Sequence, residues 1–240
     1  MTNQEILSHI DHTQLKPFAV WEDIRTLCEE AVRFGTASVC IPPAYIARAH
    51  EAFPELNLCT VVGFPLGYSV TSAKEAEIRQ ALSDGANEID MVVNISDVKD
   101  HRYEQVEEEI RALKKCCGSH ILKVIVETCY LSEEEKIAMC HAVTNAGADY
   151  IKTSTGFGTG GATLEDVRLF KANIGPDVKI KAAGGVRTRE DLEAFLAEGC
   201  SRIGTSSAVS LLKGEEASGY RISGKTSVKP AFFPFRTTPV

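Results

Sequence analysis

Short runs of β-branched and aliphatic residues alternate along this chain with longer stretches rich in Ala, Leu, Glu and Lys. The alternation occurs eight times. The apolar runs are SHIDHT (8–13), ASVCI (37–41), NLCTVV (57–62), NEIDMVV (87–93), ILKVIVE (121–127), DYIKTS (149–154), VKIKAA (178–183) and SRIGT (201–205). Runs this short, with few polar positions, predict strands buried on both faces, and the stretches between them predict helices. Several helical stretches open with a hydroxyl three residues ahead of an acid, the pattern that caps two free amides at once. Ser72 with Glu75, Ser132 with Glu135, Thr163 with Asp166 and Thr188 with Asp191 fit it. Glycine precedes the next strand at Gly35, Gly85, Gly118, Gly147, Gly175 and Gly199, where a helix end calls for left-handed backbone.

Strand, short loop, capped helix, glycine, strand is the grammar of parallel βαβ units. Eight such units within residues 1–213 predict one α/β domain, a TIM (β/α)8 barrel. A doubly wound open sheet is the alternative, but it usually has fewer strands, and no G-x-G-x-x-G follows the first run. Residues 214–240 contain three prolines and no periodicity, which predicts an irregular C-terminal tail.

With 240 residues, 44% of them hydrophobic, the chain can bury a sizeable core. Its net charge of -7 and lack of a Lys/Arg-dense arm argue against a nucleic-acid partner. No window approaches 18 consecutive apolar residues, so no membrane span is expected. The eight cysteines form no C-x-x-C, and MTNQEILSHIDH does not look like a signal peptide. Reduced thiols in a cytoplasmic protein are the expectation.

The charged residues inside the strands carry the candidate chemistry. A lone ammonium in a strand interior is costly unless it is paired or gives up its proton, so Lys152 is either salt-bridged or a working amine. Lys181 holds the equivalent place on the next strand, roughly 4.8 Å away. Two ammonium groups roughly 4 Å apart repel by about 4 kcal/mol at an effective dielectric near 20, which would carry a lysine from about 10.4 to near 7. Asp90 is a carboxylate in an otherwise apolar strand, placed to shuttle protons beside two amines or to form a structural ion pair with Lys181. Lys123 and Glu127 share a strand face and are candidates for the same polar network; Lys179 lies below Lys181, with a partner expected. AAGGV (182–186) and GTSS (204–207) follow the seventh and eighth strands, where barrels bind phosphate with backbone amides and a helix N-terminus. Ordinary capping is the alternative for Ser206 and Ser207. His9 and His12 point to opposite faces of a strand, so no metal site is expected.

The segments IKTSTGF, KAAGGVRT, EIDMVVNI and DHTQLKP together resemble the deoxyribose-phosphate aldolase family of class I, Schiff-base-forming aldolases, from about residue 5 to 213. The resemblance implies reversible cleavage of 2-deoxy-D-ribose 5-phosphate to D-glyceraldehyde 3-phosphate and acetaldehyde without a cofactor or metal. It implies Lys152 as the Schiff-base lysine, Lys181 as the ammonium beside it and Asp90 as the relay carboxylate. It also implies that Asp11, Thr13, Cys40 and Thr153 meet substrate and that Gly184, Gly185, Gly204, Ser206 and Ser207 hold its phosphate. A homo-oligomer, dimer or tetramer, is expected on the same basis. Two positions depart from relatives: Phe157 stands where some carry a phosphate-contacting lysine, and Tyr220, the match for a tyrosine near the end of some relatives, is followed by 20 more residues. Another Schiff-base barrel lyase, or a non-catalytic barrel that binds a phosphate ligand, are the rival readings.

Overall fold

Each of the eight apolar runs forms a strand, and the strands close on themselves in sequence order. The structure, a computed structural model, describes residues 1–218. The strands are β1 (Ile10–Thr13), β2 (Ser38–Ile41), β3 (Leu58–Val62), β4 (Glu88–Val92), β5 (Ile121–Ile125), β6 (Tyr150–Lys152), β7 (Lys179–Ala183) and β8 (Arg202–Thr205), with β8 pairing back onto β1 in a closed parallel barrel. The helices are α1 (Asn3–Leu7), α2 (Trp21–Phe34), α3 (Ile46–Ala52), α4 (Thr71–Ser83), α5 (Ile95–Lys99), α6 (Tyr103–Cys117), α7 (Glu133–Asn145), α8 (Leu164–Asn173), α9 (Arg189–Glu198) and α10 (Ala208–Ser218). The TIM barrel expected from the pattern is the fold observed. Helix α10 runs past the boundary drawn at residue 213 to Ser218; Tyr220 lies outside the described residues.

Alternation along the strands divides the barrel into two chemistries. Val39, Ile41, Leu58, Ile89, Met91, Val124, Ile151, Ile180 and Ile203 are buried in the main apolar core together with helix residues such as Ile24, Ile78, Ile110, Val143 and Phe170. The interior positions between them are largely polar. Asp11, Glu88, Asp90, Lys123, Lys152 and Lys181 are all buried, where barrels usually stack Val, Ile and Leu. Register sets their heights: Asp90 lies beside Lys123, and Lys181 lies between Lys152 and Arg202. Lys179, at the start of β7, is exposed and stands over the Tyr150 ring at 5.8 Å in place of the expected partner.

The helix signals held with two exceptions. The Ser132 and Thr188 side chains make reciprocal capping boxes with Glu135 and Asp191, and Thr163 accepts from the Asp166 amide. Helix α4 instead begins after Val70, so Ser72 sits inside its first turn and caps nothing. Gly35 and Gly199 end α2 and α9 in left-handed conformation. Gly175 does not have a positive φ. Its role is close approach, since a Cβ there would stand 2.5 Å from Thr144 Cγ2. Removing a side-chain cap costs about 1 kcal/mol. Thr188→Ala and Ser132→Ala are therefore expected each to lower unfolding free energy by about that amount, while Ser72→Ala changes it by less than about 0.5 kcal/mol. Denaturant titration of the three variants checks the assignment.

Candidate active site

One carboxylate gathers three lysines at the centre of the barrel. Asp90 Oδ2 accepts from Lys152 Nζ at 2.7 Å and from Lys181 Nζ at 2.7 Å, and Asp90 Oδ1 accepts from Lys123 Nζ at 2.9 Å. Both Lys152 and Lys181 bond the same oxygen, so their nitrogens lie no more than about 5.4 Å apart, twice that bond length. A second row completes the layer. Asp11 pairs with Lys181 and Arg202, and Glu88 receives Lys123 at 2.5 Å and Arg202 Nη2 at 2.8 Å. The Ser38 hydroxyl donates to Asp11 at 2.8 Å, and the Asn57 amide donates to Glu88 at 2.6 Å.

Burial alone would strip these groups of charge; mutual pairing reverses that. Desolvation works against the Asp90 carboxylate, but Lys123, Lys152 and Lys181 outweigh it and hold Asp90 well below the usual range. Asp11 is likewise lowered against its burial by Lys181, Lys123 and Arg202. Lys181 is raised above the ordinary lysine value because Asp11 and Asp90 overcome its burial, and Lys123 is raised by Asp90 and its other anionic neighbours in the same way. The sequence reading placed the two lysines in direct repulsion. The structure sets an anion between them.

A cavity of about 380 Å³ opens above this layer, at the C-terminal ends of the strands. Lys152 reaches it, its side chain 4% exposed, whereas Lys123 and Lys181 are fully covered. Thr13, Gly184, Gly185, Gly204, Ser206 and Ser207 line the same cavity. Among the described residues, the main-chain amides of Gly184, Gly185 and Ser206 donate to no protein acceptor, which leaves three N–H groups for an anion. Ser207 is tied to Thr205 through its amide at 3.2 Å and its hydroxyl at 3.0 Å. Gly204 serves from below: a Cβ there would meet Lys181 Cε at 3.1 Å.

Three residues expected at the substrate do not line this cavity. Asp11 is in the ion layer under the cavity. The Thr153 hydroxyl bridges the main chain of Ala183, accepting at 3.1 Å and donating at 3.2 Å. Cys40 is fully buried against Cys59 and Val61. A hydrogen bond from Cys59 holds the Cys40 thiol below its usual value, and burial pushes Cys59 up. Donor atoms of Cys40, Cys59 and Asp90 come within 4.8 Å of one another, but the three ammonium groups on Asp90 oppose a cation there. His9 and His12 engage separate partners, the Ser201 carbonyl at 2.9 Å and Glu30 at 2.9 Å.

Sequence reasoning passed over Glu88 and Arg202, although Glu88 is two residues from Asp90 on the same strand face and Arg202 is level with Lys181. It also passed over Lys16 and Arg187, which lie in the quoted motifs DHTQLKP and KAAGGVRT and line the cavity. Phe157 lines it too, half exposed, with its ring edge-on to Phe64 at 5.3 Å.

A closed (β/α)8 barrel with a buried lysine opening into a cavity at its C-terminal face is the architecture of a barrel enzyme site. The family model for DeoC/LacD family aldolases matches residues 6–214. The chain is 69% identical over 221 residues to the deoxyribose-phosphate aldolase of Clostridium botulinum (strain Alaska E43 / Type E3), covering 92% of this chain and all of that one. It is 54% identical over 218 residues to the deoxyribose-phosphate aldolase of Clostridioides difficile (strain 630), covering 90% of this chain and all of the relative. Among solved structures, the tetrameric deoxyribose phosphate aldolase of Aeropyrum pernix superposes with a TM-score of 0.83 at 32% identity, covering 90% of this chain and 93% of that one. The chain belongs to the DeoC/LacD family of aldolases, and it is a carbon–carbon lyase.

The ion layer makes stability depend on pH at both ends. Carboxylates whose values are depressed in the fold stabilise it fully above about pH 4 and lose that contribution as pH falls. Lysines whose values are raised stabilise it fully below about pH 10 and lose it as pH rises. The melting temperature is expected to hold level between about pH 5 and 9 and to drop on both sides. A melting temperature unchanged from pH 6 to pH 3 would contradict the layer.

Proposed function

We propose that this aldolase reversibly cleaves 2-deoxy-D-ribose 5-phosphate to D-glyceraldehyde 3-phosphate and acetaldehyde, with Lys152 as the nucleophile. The observation that carries the reading is that Lys152, alone among the three amines on Asp90, reaches the cavity. The substrate follows from the names of the relatives and from the three free amides at the cavity wall, which suit a phosphate.

Charge counting supports the amine. Lys123, Lys152, Lys181 and Arg202 face only Asp11, Glu88 and Asp90, so the layer carries one surplus positive charge when every group is ionised. Lys123 and Lys181 are fully buried in the layer, Arg202 is a guanidinium paired with Asp11 and Glu88, and Lys152 is the amine that lines the cavity.

In the cleavage direction Lys152 Nζ adds to the aldehyde carbon of the open-chain sugar, and water leaves to give a protonated imine. A base removes the proton of the C3 hydroxyl, the C2–C3 bond breaks, and its electron pair flows into the imine to form an enamine. Glyceraldehyde 3-phosphate departs. The enamine takes a proton on carbon, and water hydrolyses the imine to acetaldehyde and free Lys152. The iminium is the electron sink, so the sequence needs no metal or cofactor. Asp90, 2.7 Å from both Lys152 and Lys181, is the relay: it takes the C3-hydroxyl proton and returns it to the enamine carbon, while Lys181 stays an ammonium beside it. The eight cysteines of the described chain are all unpaired, in keeping with a reducing cytoplasm, and the tetrameric relative supports a homo-oligomer. No helix among the described residues is long and apolar enough to cross a membrane.

The test is the pH dependence of kcat/KM for wild type and Lys181→Met, with release of acetaldehyde and triose phosphate followed together. Lys181→Met removes the layer's surplus positive charge. The acidic limb is expected to move up by about one to three pH units. A limb at the same pH in both proteins would remove Lys181 from the activation of Lys152. Activity with dihydroxyacetone but not acetaldehyde as donor would point to another Schiff-base lyase, and no turnover with either would point to a binding barrel.

A further inference from the structure

Glu127 is a buried carboxylate that the chemistry above leaves unused. It follows β5 with φ 55 and ψ 66, left-handed backbone that is uncommon outside glycine, and only 2% of its surface is exposed. Among the described residues it has no ion-pair partner, although a buried carboxylate ordinarily takes one. Its hydrogen bonds run instead to the loop that leaves Lys152. The Thr155 amide donates to Glu127 Oε1 at 3.2 Å and Oε2 at 3.3 Å, and the Thr155 hydroxyl donates to Oε2. The Cys129 thiol stands 3.9 Å from Oε1.

These contacts continue into the cavity wall. The Thr155 hydroxyl accepts from the Phe157 amide at 3.0 Å, which closes a tight turn over Gly156. Thr155, Gly156 and Phe157 all line the cavity. Gly158 packs against the same carboxylate, since a Cβ there would stand 3.0 Å from Glu127 Cδ. The Thr155 and Phe157 amides are thus engaged inside the protein, and the Gly156 amide, at the cavity wall, has no protein acceptor among the described residues.

We propose that Glu127 is a positioning residue: by holding the amide and hydroxyl of Thr155 it fixes the 155–157 turn against the phosphate end of the substrate. The inference rests on the phosphorylated-sugar reading. It assigns to backbone shape, set from the end of the neighbouring strand, part of the recognition that a lysine at position 157 performs in some relatives.

The experiment compares kcat/KM for 2-deoxyribose 5-phosphate and for 2-deoxyribose in wild type, Glu127→Ala, Glu127→Gln and Thr155→Val. The ratio of the two values is expected to fall at least tenfold in Glu127→Ala and Thr155→Val, through a higher KM for the phosphorylated sugar. Glu127→Gln, which keeps an acceptor at the same reach, is expected to recover part of the ratio. Should Glu127→Ala fail to fold, Thr155→Val breaks the same contact from the loop side. Equal losses on both sugars in Thr155→Val, or an unchanged ratio, would overturn the role of Glu127. A wild-type enzyme inactive on the phosphorylated sugar would instead overturn the substrate reading and this role with it.

Discussion

The carboxylate of Asp90, shared among the amines of Lys123, Lys152 and Lys181, is the interaction on which the rest of the barrel interior depends. Three ammonium groups cannot be buried together without an anion among them, and one anion is not enough for three. The strand register answers with Asp11 and Glu88 at the next level and Arg202 to close the row. The interior becomes an ordered ionic lattice inside an apolar jacket of strands and helices.

The layer also divides the labour along the barrel axis. Below, the side chains are locked by charge, with Asp90, Lys123 and Lys181 fully buried. Above, the wall is built from loops rich in glycine and hydroxyl residues, whose free amides face the cavity. Lys152 is the only group of the ionic lattice to cross from one zone to the other. In the proposed chemistry this lets the reacting nitrogen meet substrate while it stays bonded to a buried carboxylate. The buried Glu127 carboxyl group in turn accepts from the Thr155 amide and hydroxyl, which joins the end of β5 to the loop after β6.

Much of the fold was legible because it is written in local signals. Eight apolar runs, hydroxyl–acid pairs and glycines at helix ends state the βαβ repeat directly, and the closed barrel follows from counting. The α4 start was misplaced because Thr71, Ser72 and the preceding residues offer competing first turns, and the chain uses Val70. The site was legible where a charge interrupts an apolar strand, as at Lys152, Lys181 and Asp90. It was not legible where partners are set by barrel closure: Arg202 on β8 meets Glu88 on β4 across the interior, a contact that pairwise strand spacing cannot show. The bore also pulled Asp11 beneath the cavity and left Lys179 at its exposed lower rim, since a shift of two residues along a strand keeps the face but changes the zone.

The central claim is that the amine which reaches the cavity is the one that reacts. Incubation with acetaldehyde and borohydride, followed by peptide mapping, measures it directly. The account predicts a two-carbon ethyl adduct on Lys152 with loss of activity in proportion to labelling, and no adduct on Lys123 or Lys181. Labelling confined to surface lysines with activity retained, or an adduct on Lys181 in place of Lys152, would contradict it.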